Sequence, residues 1–396
     1  MEWKEVRLGD VCSELSDGLH KAPKFIEKGE YIFVNAKNLY NGYILDNDPA
    51  KKTSHEEYLK YKKPLGKHTI LYSIDGTIGN IAKYRGEKCV LGKGACYLNC
   101  NPKIVVSSYL YYQLQSPHFK SYIHLMSTGS TIKHISLKTM REYVFELPSL
   151  TDQRRIASIL SSLDRKIELN NKINADLEEM AQAIFKNWFV DFEPFKNGKF
   201  VDSELGMIPE GWKVGRLEDI AEITMGQSPA GNSLNENREG MMFYQGSSDF
   251  GFRFPSIRVF TTEPKRLAVA NSVLFSVRAP VGDINVAKEE CCIGRGVASI
   301  KSKSSHDSYL FYTMKSLHKL FDSFDGEGTV FGSINKKTLS AIQILLPSEG
   351  IVEQFNDVAS SFDNRIRCLS EESSRLSLLR DTLLPRLMSG ELEVPE

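Results

Sequence analysis

The strongest structural signal in the sequence lies in residues 151–192, TDQRRIASILSSLDRKIELNNKINADLEEMAQAIFKNWFVDF. It contains neither proline nor glycine, and one line of its residues recurs every seven positions: Ile156, Leu163, Asn170, Leu177 and Ile184. A heptad sustained over this length is typical of one long helix that buries an apolar seam against a partner helix. We therefore expect a helix over the whole stretch.

A partner with the same period lies near the C-terminus, within residues 349–396. Adding 199 to the first series (355 − 156 = 199) gives Phe355, Phe362, Leu369, Leu376 and Leu383. The chain thus contains its own partner helix, and the two series are predicted to form a helix–helix spacer. At a rise of ~1.5 Å per residue, some 40 residues make a rod of roughly 60 Å. Asn170, the polar residue of the seam, is expected to fix the register of the helices.

Both long stretches belong to an internal repeat that covers nearly the whole chain. WKEVRLGDV at residues 3–11 is matched by WKVGRLEDI at 212–220, and GSTIKHISLKTM at 129–140 is matched by GTVFGSINKKTL at 328–339. A repeat of this length indicates that a unit of one globule and one helix has been duplicated. The predicted segments are a globular domain at 1–150, a helix at 151–192, a linker at 193–211, a globular domain at 212–348, and a helix with a C-terminal tail at 349–396.

Each globular domain is predicted to mix strands and helices. TILYSI (69–74), SVLFSV (272–277) and YVFELP (143–148) combine β-branched and aromatic residues between turn residues, which indicates strands. SSYLYYQLQS (107–116) and DSYLFYTMKSLHKLF (307–321) are predicted helices, with the first Ser or Asp as the cap.

Composition limits the class of protein. The 396 residues, 41% of them apolar, are enough for two to three domains. No run approaches the ~18–20 apolar residues that cross a membrane. The seven cysteines include no C-x-x-C pair and the eight histidines are scattered, so we expect reduced thiols in the cytoplasm and no metal site.

The net charge of zero is unevenly divided along the chain. Residues 1–150 contain 18 Lys and 3 Arg against 15 acids, so this segment carries 21 − 15 = +6 and the remainder −6. The surplus is compatible with contacts to nucleic-acid phosphates. It is equally compatible with an ordinary solvated surface.

The sequence contains no recognisable catalytic motif. The G-x-x-x-x-G-K-[ST] loop of nucleotide hydrolases and the Asn/Asp-Pro-Pro-aromatic signature of amino-methyltransferases do not occur. Gly92-Lys93-Gly94 and Gly294-Arg295-Gly296 lack the third glycine of a dinucleotide fingerprint. We interpret them as tight turns in which Lys93 and Arg295 are candidate phosphate contacts. The protein is therefore predicted not to be an enzyme itself.

Two pairs of polar loops occupy matching places in the repeat. Ser16–Pro23 (SDGLHKAP) corresponds to Met225–Ser233 (MGQSPAGNS), and Asn35–Asn38 corresponds to Gln245–Asp249. Asn and Gln can pair bidentately with adenine, and Lys or Arg can pair with guanine or phosphate, so these loops are candidate DNA contacts. Simple turns have the same composition, and both interpretations stay open at this point.

Taken together, these features resemble a known family, the DNA-specificity subunits of type I restriction–modification enzymes, often called HsdS. The resemblance covers essentially all of the chain. It rests on the duplicated plan and on three fragments: the helical region 147–195 with its ending WFVDF (188–192), LGMIPEGWKVGRLEDIAEITMGQSP (205–229), and LLPRLMSGELEV (383–394).

The resemblance implies duplicated target-recognition domains of α/β (α+β) fold, joined by two long antiparallel coiled-coil helices and related by a pseudo-two-fold axis. Two similar domains in this arrangement face two half-sites on DNA. Because the two sets of loops have diverged, the target is expected to be bipartite and asymmetric. A ~60 Å rod sets an upper limit of about 17–18 base pairs on the separation, at ~3.4 Å each.

In this family the subunit has no activity of its own. It holds two methyltransferase subunits, which methylate adenine with S-adenosylmethionine after flipping the base. A restriction subunit, which hydrolyses ATP with Mg, can join. The resemblance thus implies double-stranded DNA and these subunits as partners, with no cofactor on this chain and no membrane. Trp188, Phe189 and Phe192 either dock a partner or pack in the core.

Loop position selects the candidate DNA-contacting residues. In the first domain they are His20, Lys21, Asn35, Lys37, Asn38, Lys93, Ser130, Thr131, Lys133 and His134. In the second domain they are Gln227, Ser228, Gln245, Ser248, Asp249, Arg253, Arg278, Arg295, Thr329 and Asn335. Two other functions remain as alternatives, a stand-alone DNA-binding protein and a coiled-coil scaffold that does not bind DNA. DNA affinity of the isolated chain favours the first, and absence of affinity even in a complex favours the second.

Overall fold

The computed structural model describes residues 3–48, 51–128, 133–324 and 332–394. The chain divides into two compact units. Unit 1 comprises Met1–Leu169 with Glu372–Glu396, and unit 2 comprises Asn170–Glu371. Each unit therefore contains one globular segment together with a part of each long helix.

The first half of the chain contains eleven strands and five α-helices within the described ranges. The strands are β1 (Lys4–Arg7), β2 (Cys12–Asp17), β3 (Tyr31–Val34), β4 (Leu39–Tyr40), β5 (Tyr43–Ile44), β6 (Lys52–Thr53), β7 (Thr69–Ser73), β8 (Ile81–Lys83), β9 (Cys89–Leu91), β10 (Ala95–Cys100) and β11 (Val144–Leu147). The helices are α1 (His55–Tyr61), α2 (Ser107–Gln113), α3 (Pro117–Met126), α4 (Leu137–Glu142) and the long α5 (Leu150–Phe189).

The second half contains thirteen strands and five α-helices within the described ranges. The strands are β12 (Phe200–Val201), β13 (Ile208–Pro209), β14 (Lys213–Arg216), β15 (Ala221–Met225), β16 (Leu234–Asn235), β17 (Met241–Tyr244), β18 (Val259–Thr261), β19 (Leu267–Ala268), β20 (Val273–Ser276), β21 (Ile284–Val286), β22 (Cys291–Ile293), β23 (Val297–Ser302) and β24 (Gln343–Leu346). The helices are α6 (Leu217–Ile220), α7 (Asp307–Ser316), α8 (His318–Asp322), α9 (Lys336–Ser340) and the long α10 (Glu349–Met388).

The two units share the strand order of their four-stranded sheet. In unit 1 an antiparallel sheet has the order β2-β10-β7-β8, and in unit 2 the corresponding order is β15-β23-β20-β21. The second sheet places β3 parallel to β9 in unit 1 and β17 parallel to β22 in unit 2. A third pairing joins β1 to β11 and β14 to β24, both antiparallel. The mixed α/β class and the duplication predicted from the sequence are confirmed.

The central strand β7 explains why an uninterrupted apolar run is needed. All five of its residues are buried because both of its faces are covered. Ile70 and Tyr72 belong to the core formed with α2 and α3, whereas Leu71 belongs to the core shared with β3 and β9. Alternate side chains of a strand point to opposite faces, so a strand covered on both sides requires apolar residues at successive positions.

The predicted helices at 107–116 and 307–321 exist, but their ends differ from the prediction. Each begins at the predicted residue, yet the N-caps are Val106 and His306 rather than the first Ser or Asp. The second helix is interrupted at Leu317, which separates α7 from α8. The cap assignment was therefore wrong. Asp307 instead lies in the first turn of α7, where its negative charge favours the helix dipole.

Within unit 1, the start of α5 packs antiparallel against the end of α10. Ile156 and Leu160 share the core of this unit with Leu384 and Leu387. Burial of such side chains stabilises the pairing by roughly 1.5–3 kcal/mol for each fully buried residue.

Within unit 2, the end of α5 packs against the start of α10. Phe185 and Phe189 share the core of this unit with Phe355 and Ala359. The ring centroids of Phe189 and Phe355 are 5.2 Å apart in an edge-to-face arrangement. This places Phe189 in the core, and Trp188 and Phe192 pack against the same cluster. Of the two interpretations of this aromatic group, the structure favours core packing.

The ten predicted seam residues divide into two groups. Four are buried: Ile156, Asn170, Phe355 and Leu369. The other six are partly buried, namely Leu163, Leu177, Ile184, Phe362, Leu376 and Leu383. The seam also buries polar residues that the heptad did not indicate, and the amide of Asn174 donates to the hydroxyl of Ser370 (3.2 Å).

The segment predicted as a linker, residues 193–211, contains the β12–β13 pair, and Ile208 is buried in the core of unit 2. Among the described residues, no helix combines the length and the apolar character that a membrane crossing requires.

Candidate nucleic-acid interface

The candidate loops of unit 1 meet where several strands end. We call this place junction 1 and define it as residues 18–21, 35–37, 75–77, 92–94 and 133–134. Its centre is the Gly92–Gly94 turn, which follows β9. The amide of Gly92 donates to the carbonyl of Val34 at the end of β3 (2.8 Å), and the amide of Lys93 donates to the carbonyl of Leu19 (2.8 Å). Backbone hydrogen bonds therefore hold three loops together at one edge.

Unit 2 builds the same arrangement, which we call junction 2 and define as residues 226–228, 245–248, 278–280, 294–296 and 332–335. The amide of Gly294 donates to the carbonyl of Tyr244 (2.9 Å), and the amide of Gln227 donates to the carbonyl of Ile293 (2.9 Å). The matching bond in junction 1 joins Leu19 to Leu91 (2.8 Å). The predicted correspondence of the polar loops is thus present in the backbone geometry.

Gly18 and Gly226 are required by this packing. A Cβ atom at Gly18 would overlap the carbonyl oxygen of Leu91, and one at Gly226 would overlap the carbonyl oxygen of Gly294. Only glycine lets the two loops approach this closely. Both glycines lie in the loop pair that the sequence repeat matched.

An amide side chain lies against the glycine turn in each junction. A Cβ atom at Gly92 would overlap Oδ1 of Asn35, and one at Gly294 would meet Oε1 of Gln245. The hydroxyl of Ser228 donates to this Gln245 oxygen (3.0 Å) and accepts from the backbone amide of Arg295 (3.3 Å). Asn35 and Gln245 therefore occupy corresponding positions but differ in length by one methylene.

Junction 1 gathers most of the described candidates of the first domain. His20, Asn35, Lys37 and Lys93 line one surface cleft, together with Asp75 and its neighbours. Lys21 and Lys133 are exposed beside them. Lys37 donates to Asp48 (2.7 Å), and this hydrogen bond raises the pKa of Lys37.

Junction 2 presents Gln227, Gln245, Arg278 and Arg295 as exposed side chains. Ser248 is also exposed, and Asn335 caps α9 by accepting from the backbone amide of Thr338 (2.9 Å). The residue types include both donors for phosphate or guanine and amides for base edges.

Burial removes three candidates from the contact set. Asn38 is buried, accepts from the backbone amide of Asn35 (3.0 Å), and donates to the carbonyl of Leu45 (3.1 Å) and to Asn47 (2.7 Å). The side-chain oxygen and nitrogen of Asn38 thus both stabilise the turn that follows β3. Asp249 is likewise buried and accepts from Nε of Arg258 (2.7 Å).

Arg253 is the third such residue, because its guanidinium lies in the interior of unit 2. It forms ion pairs with Glu178 on α5 and with Asp363 on α10, and it donates to the phenol oxygen of Tyr312 (2.9 Å). Only 3% of its side chain is exposed. Arg253 therefore stabilises the packing of the globular segment on the long helices instead of contacting a ligand.

Three further candidates, Ser130, Thr131 and Thr329, lie outside the described residues. Asp75 was not predicted, although its side chain lies between two predicted DNA-contacting residues, Lys93 and His134. Its carboxylate oxygens are 3.8 Å from Nζ of Lys93 and 3.7 Å from Nδ1 of His134. The signal that could have identified it is its position four residues before Gly79, which the repeat aligns with Gly282. Within the described ranges, no group of three or more side chains is arranged to hold a metal ion.

Comparison with known proteins assigns the chain to a family. A model of the type I restriction modification DNA specificity domain matches residues 1–179 and again residues 209–376. The chain belongs to this specificity family. The first match contains junction 1 and the second contains junction 2, so the duplicated junctions fall in duplicated copies of the specificity domain.

Relatives within the specificity family align over nearly the full chain. A Methanocaldococcus jannaschii protein provisionally named the specificity subunit of the type I restriction enzyme MjaX is 31% identical, and the alignment covers 99% of this chain and 94% of the relative. The specificity subunit of the Haemophilus influenzae type I restriction enzyme HindI is 24% identical over 99% of this chain and 100% of its own length.

A solved structure has the same fold. The type I restriction–modification S subunit from M. genitalium aligns with a TM-score of 0.60, covering 100% of this chain and 97% of the other. At 17% sequence identity this similarity concerns the fold alone.

Proposed function

We propose that this chain is the DNA-reading specificity subunit of a type I restriction–modification system. In this role it binds double-stranded DNA and has no catalytic activity of its own. Each junction recognises one part of a split target. Membership of the specificity family supports the general role. The presence of one junction in each unit supports the proposal that each unit recognises one half-site.

The observation that carries the proposal is that one backbone arrangement presents different side chains in the two units. Asn35 and Lys93 in junction 1 correspond to Gln245 and Arg295 in junction 2. Amide side chains recognise base edges, and cations beside them neutralise phosphates. Because the side chains differ while the frame is retained, the two half-sites differ in sequence and the target is asymmetric.

The charge of the chain is consistent with recognition in a complex. The cations of the junctions are few, and the chain as a whole carries no net charge. Nonspecific affinity for DNA depends on the number of neutralised phosphates, so the isolated chain is expected to bind DNA weakly. The proposed partners are two methyltransferase subunits, which supply S-adenosylmethionine chemistry on adenine, and restriction subunits, which supply ATP-dependent cleavage. The zero net charge also argues against the stand-alone alternative.

We further propose that α5 and α10 pair along their lengths as an antiparallel coiled coil. Antiparallel contacts inside unit 1 and inside unit 2 support this pairing. Exposed apolar residues on these helices, such as Leu169, Met180 and Leu378, are the proposed contacts for the methyltransferase subunits.

The test is selection of DNA by the assembled complex. The chain is purified with its methyltransferase subunits and incubated with duplexes that contain a long randomised segment, and the retained DNA is sequenced. The expected result is one motif of two short, different blocks separated by a gap of constant length. The methyltransferase subunits without this chain serve as the control and are expected to select no motif.

Retention of DNA without any enriched motif by an intact complex contradicts the proposed role. A single continuous block contradicts the assignment of one half-site to each unit. Equal selection by the isolated chain favours the stand-alone alternative instead.

A further inference from the structure

Asp75 stands in a rigid backbone frame at junction 1. The residue before it, Ile74, donates its amide to the carbonyl of Gly94 (3.1 Å) and accepts from the amide of Ile135 (2.9 Å). The residue after it, Gly76, donates to the carbonyl of Lys133 (3.0 Å). These bonds hold the backbone on both sides of Asp75, so the position of its Cα–Cβ bond is set by the fold.

Arg278 stands in the same frame at junction 2. The residue before it, Val277, donates to the carbonyl of Gly296 (3.0 Å) and accepts from the amide of Ile334 (3.1 Å). The residue after it, Ala279, donates to the carbonyl of Gly332 (3.2 Å). Each of the three bonds around Asp75 has a counterpart, so Asp75 and Arg278 are equivalent positions of the two units.

The side chains at these equivalent positions have opposite charge. Asp75 is a hydrogen-bond acceptor in its ionised form, and Arg278 is a donor only. Both positions also form an isolated antiparallel β-bridge, Asp75 with His134 and Arg278 with Ser333. The two units therefore share this backbone position but carry side chains of opposite charge there.

The side chain of Asp75 is accessible from the cleft of junction 1. It is 28% exposed and lies in the cleft with Asn35 and Lys93. Its nearest basic groups, the Lys93 ammonium and the His134 imidazole, lie at 3.8 and 3.7 Å, which is beyond hydrogen-bonding distance. Nδ1 of His134 is buried and has no hydrogen-bond partner among the described residues. The carboxylate oxygens of Asp75 thus lie near these basic groups but form no hydrogen bond with them.

We propose that Asp75 and Arg278 are equivalent base-reading residues of the two units, and that they recognise opposite partners. Asp75 accepts a hydrogen bond from an exocyclic amino group, with N4 of cytosine as the expected donor. Arg278 donates to O6 and N7 of guanine. These pairings follow from the donor and acceptor pattern of the major groove. The inference rests on the proposed function and adds to it the chemistry of one position in each half-site.

A carboxylate among cations in a DNA-binding cleft has a specific consequence. It repels phosphate and therefore weakens binding to DNA in general, unless a base amino group compensates for it. An acid at this position consequently discriminates strongly between a correct and an incorrect base. The alternative role, in which Asp75 only orients Lys93 and His134, changes affinity without changing the preferred sequence.

The test is a methyladenine map at single-base resolution in a host without adenine methylation of its own. The chain is expressed with its methyltransferase subunits as wild type and as Asp75→Ala, Asp75→Asn and Arg278→Ala. Glu27→Ala, which removes an exposed acid outside the junction, is the matched control. The assembled complex is purified from each strain to verify that it forms.

The expected result is that Asp75→Ala relaxes one C·G position in one half-site, with discrimination falling roughly 5- to 100-fold. Arg278→Ala relaxes one G·C position in the other half-site to a similar extent. Asp75→Asn keeps the shape of the side chain but adds a donor, so it moves the preference at the same position toward adenine. Glu27→Ala leaves the motif unchanged.

An unchanged motif in both alanine variants, or relaxation of the same half-site by both, overturns the inference. A uniform loss of methylation without any change of motif also overturns it, because that result assigns Asp75 the orienting role. Asp75→Asn decides between these outcomes if the alanine variant does not assemble. Absence of any motif for the assembled wild type contradicts the proposed function itself, so the two failures are distinguishable.

Discussion

The phenol of Tyr112 on α2 donates a hydrogen bond to the carboxylate of Asp164 on α5, with 2.5 Å between the oxygens. Unit 2 repeats the relationship between Tyr312 on α7 and Asp363 on α10, at 3.1 Å. The two aspartates are separated by 363 − 164 = 199 residues, the same interval that separates the heptads. In each unit, a buried phenol of the globular segment is thus bonded to a carboxylate of a long helix.

Removal of either phenol is expected to destabilise its own unit. Tyr112→Phe and Tyr312→Phe each lose a hydrogen bond to a charged group, which contributes about 1.5–3 kcal/mol. Urea unfolding of each variant measures the change in the free energy of unfolding. Tyr40→Phe is the control, because Tyr40 is 58% exposed. A change below about 0.5 kcal/mol in both variants contradicts the role of these bonds.

The stability of unit 1 is expected to depend on the protonation of Lys83. Burial lowers the pKa of Lys83 from its usual 10.5 to about 8, and its Nζ lies 4.0 Å from the ring centroid of Tyr111. Between these two pKa values the unfolded chain binds more protons than the folded chain, so this contribution to the free energy of unfolding rises with pH. Below pH ~8 both states are protonated and the contribution is constant.

Lys83→Met removes this pH dependence. Relative to the variant, the wild type is expected to gain about 1–2 kcal/mol between pH ~7.5 and ~9.5, a value reduced from the full shift to allow for partial solvation. Urea unfolding at a series of pH values gives the difference, and Lys28→Met at an exposed site is the control. A difference that is constant with pH argues against a depressed pKa.

Substitution of Lys93 or Arg295, the middle residues of the two glycine turns, is expected to weaken DNA binding without altering the motif. Lys93→Gln and Arg295→Gln each remove one proposed phosphate contact. The negative slope of log K against log salt concentration therefore becomes shallower by about 1 in each variant. Binding of the assembled complex to target and scrambled duplexes at several salt concentrations gives both slopes. Lys28→Gln is expected to leave the slope unchanged. A changed preference between duplexes shows instead that the cation contacts a base.

Asn170→Leu is expected to stabilise the helix pair but to loosen its register. Asn170 is fully buried in the seam, and a buried polar residue at such a position specifies alignment at a cost in stability. The midpoint of thermal unfolding should rise by a few degrees. Spin labels at Asp176 and Arg365, both exposed in unit 2, should give a broader distance distribution than in the wild type. Asn171→Leu, at an exposed neighbouring position, is the control, and equally narrow distributions in all three proteins contradict the role in register.

The long helices could be predicted from the sequence because a heptad is a local property. The predicted helix at 151–192 is observed as Leu150–Phe189, and the partner is observed as Glu349–Met388. The run 69–74 likewise contains β7, because β-branched and aromatic residues between turn residues favour a strand. The local pattern does not predict which distant strands pair, such as β3 and β9, which are parallel neighbours.

Individual contact residues were harder to predict, because a residue type does not reveal which way a side chain points. Asn35 and Asn38 belong to one loop, yet only Asn38 is buried, and its partners Leu45 and Asn47 come from the segment that follows. Arg253 looked like a DNA contact, but its partners Glu178 and Asp363 are 75 and 110 residues away in the chain. Distant partners of this kind are visible only in three dimensions.

Asp75 was missed for the opposite reason. An acid inside a basic segment does not resemble a nucleic-acid contact when residue types alone are considered. The backbone bonds that match Asp75 with Arg278 join segments that are distant in the chain, as in the pair formed by Gly76 and Lys133 (133 − 76 = 57 residues). The equivalence of the two positions therefore emerged from the duplicated hydrogen-bond frame rather than from the composition of the loop.

A genome-wide map of methyladenine in the native host, with this gene deleted and then restored, tests whether this chain determines which DNA sequence is methylated. The deletion is expected to abolish methylation at one split, asymmetric motif, and restoration is expected to recover the same motif. The two blocks of that motif then identify the half-sites of the two units. An unchanged map in the deletion strain, with the methyltransferase partner shown to be expressed, contradicts the account.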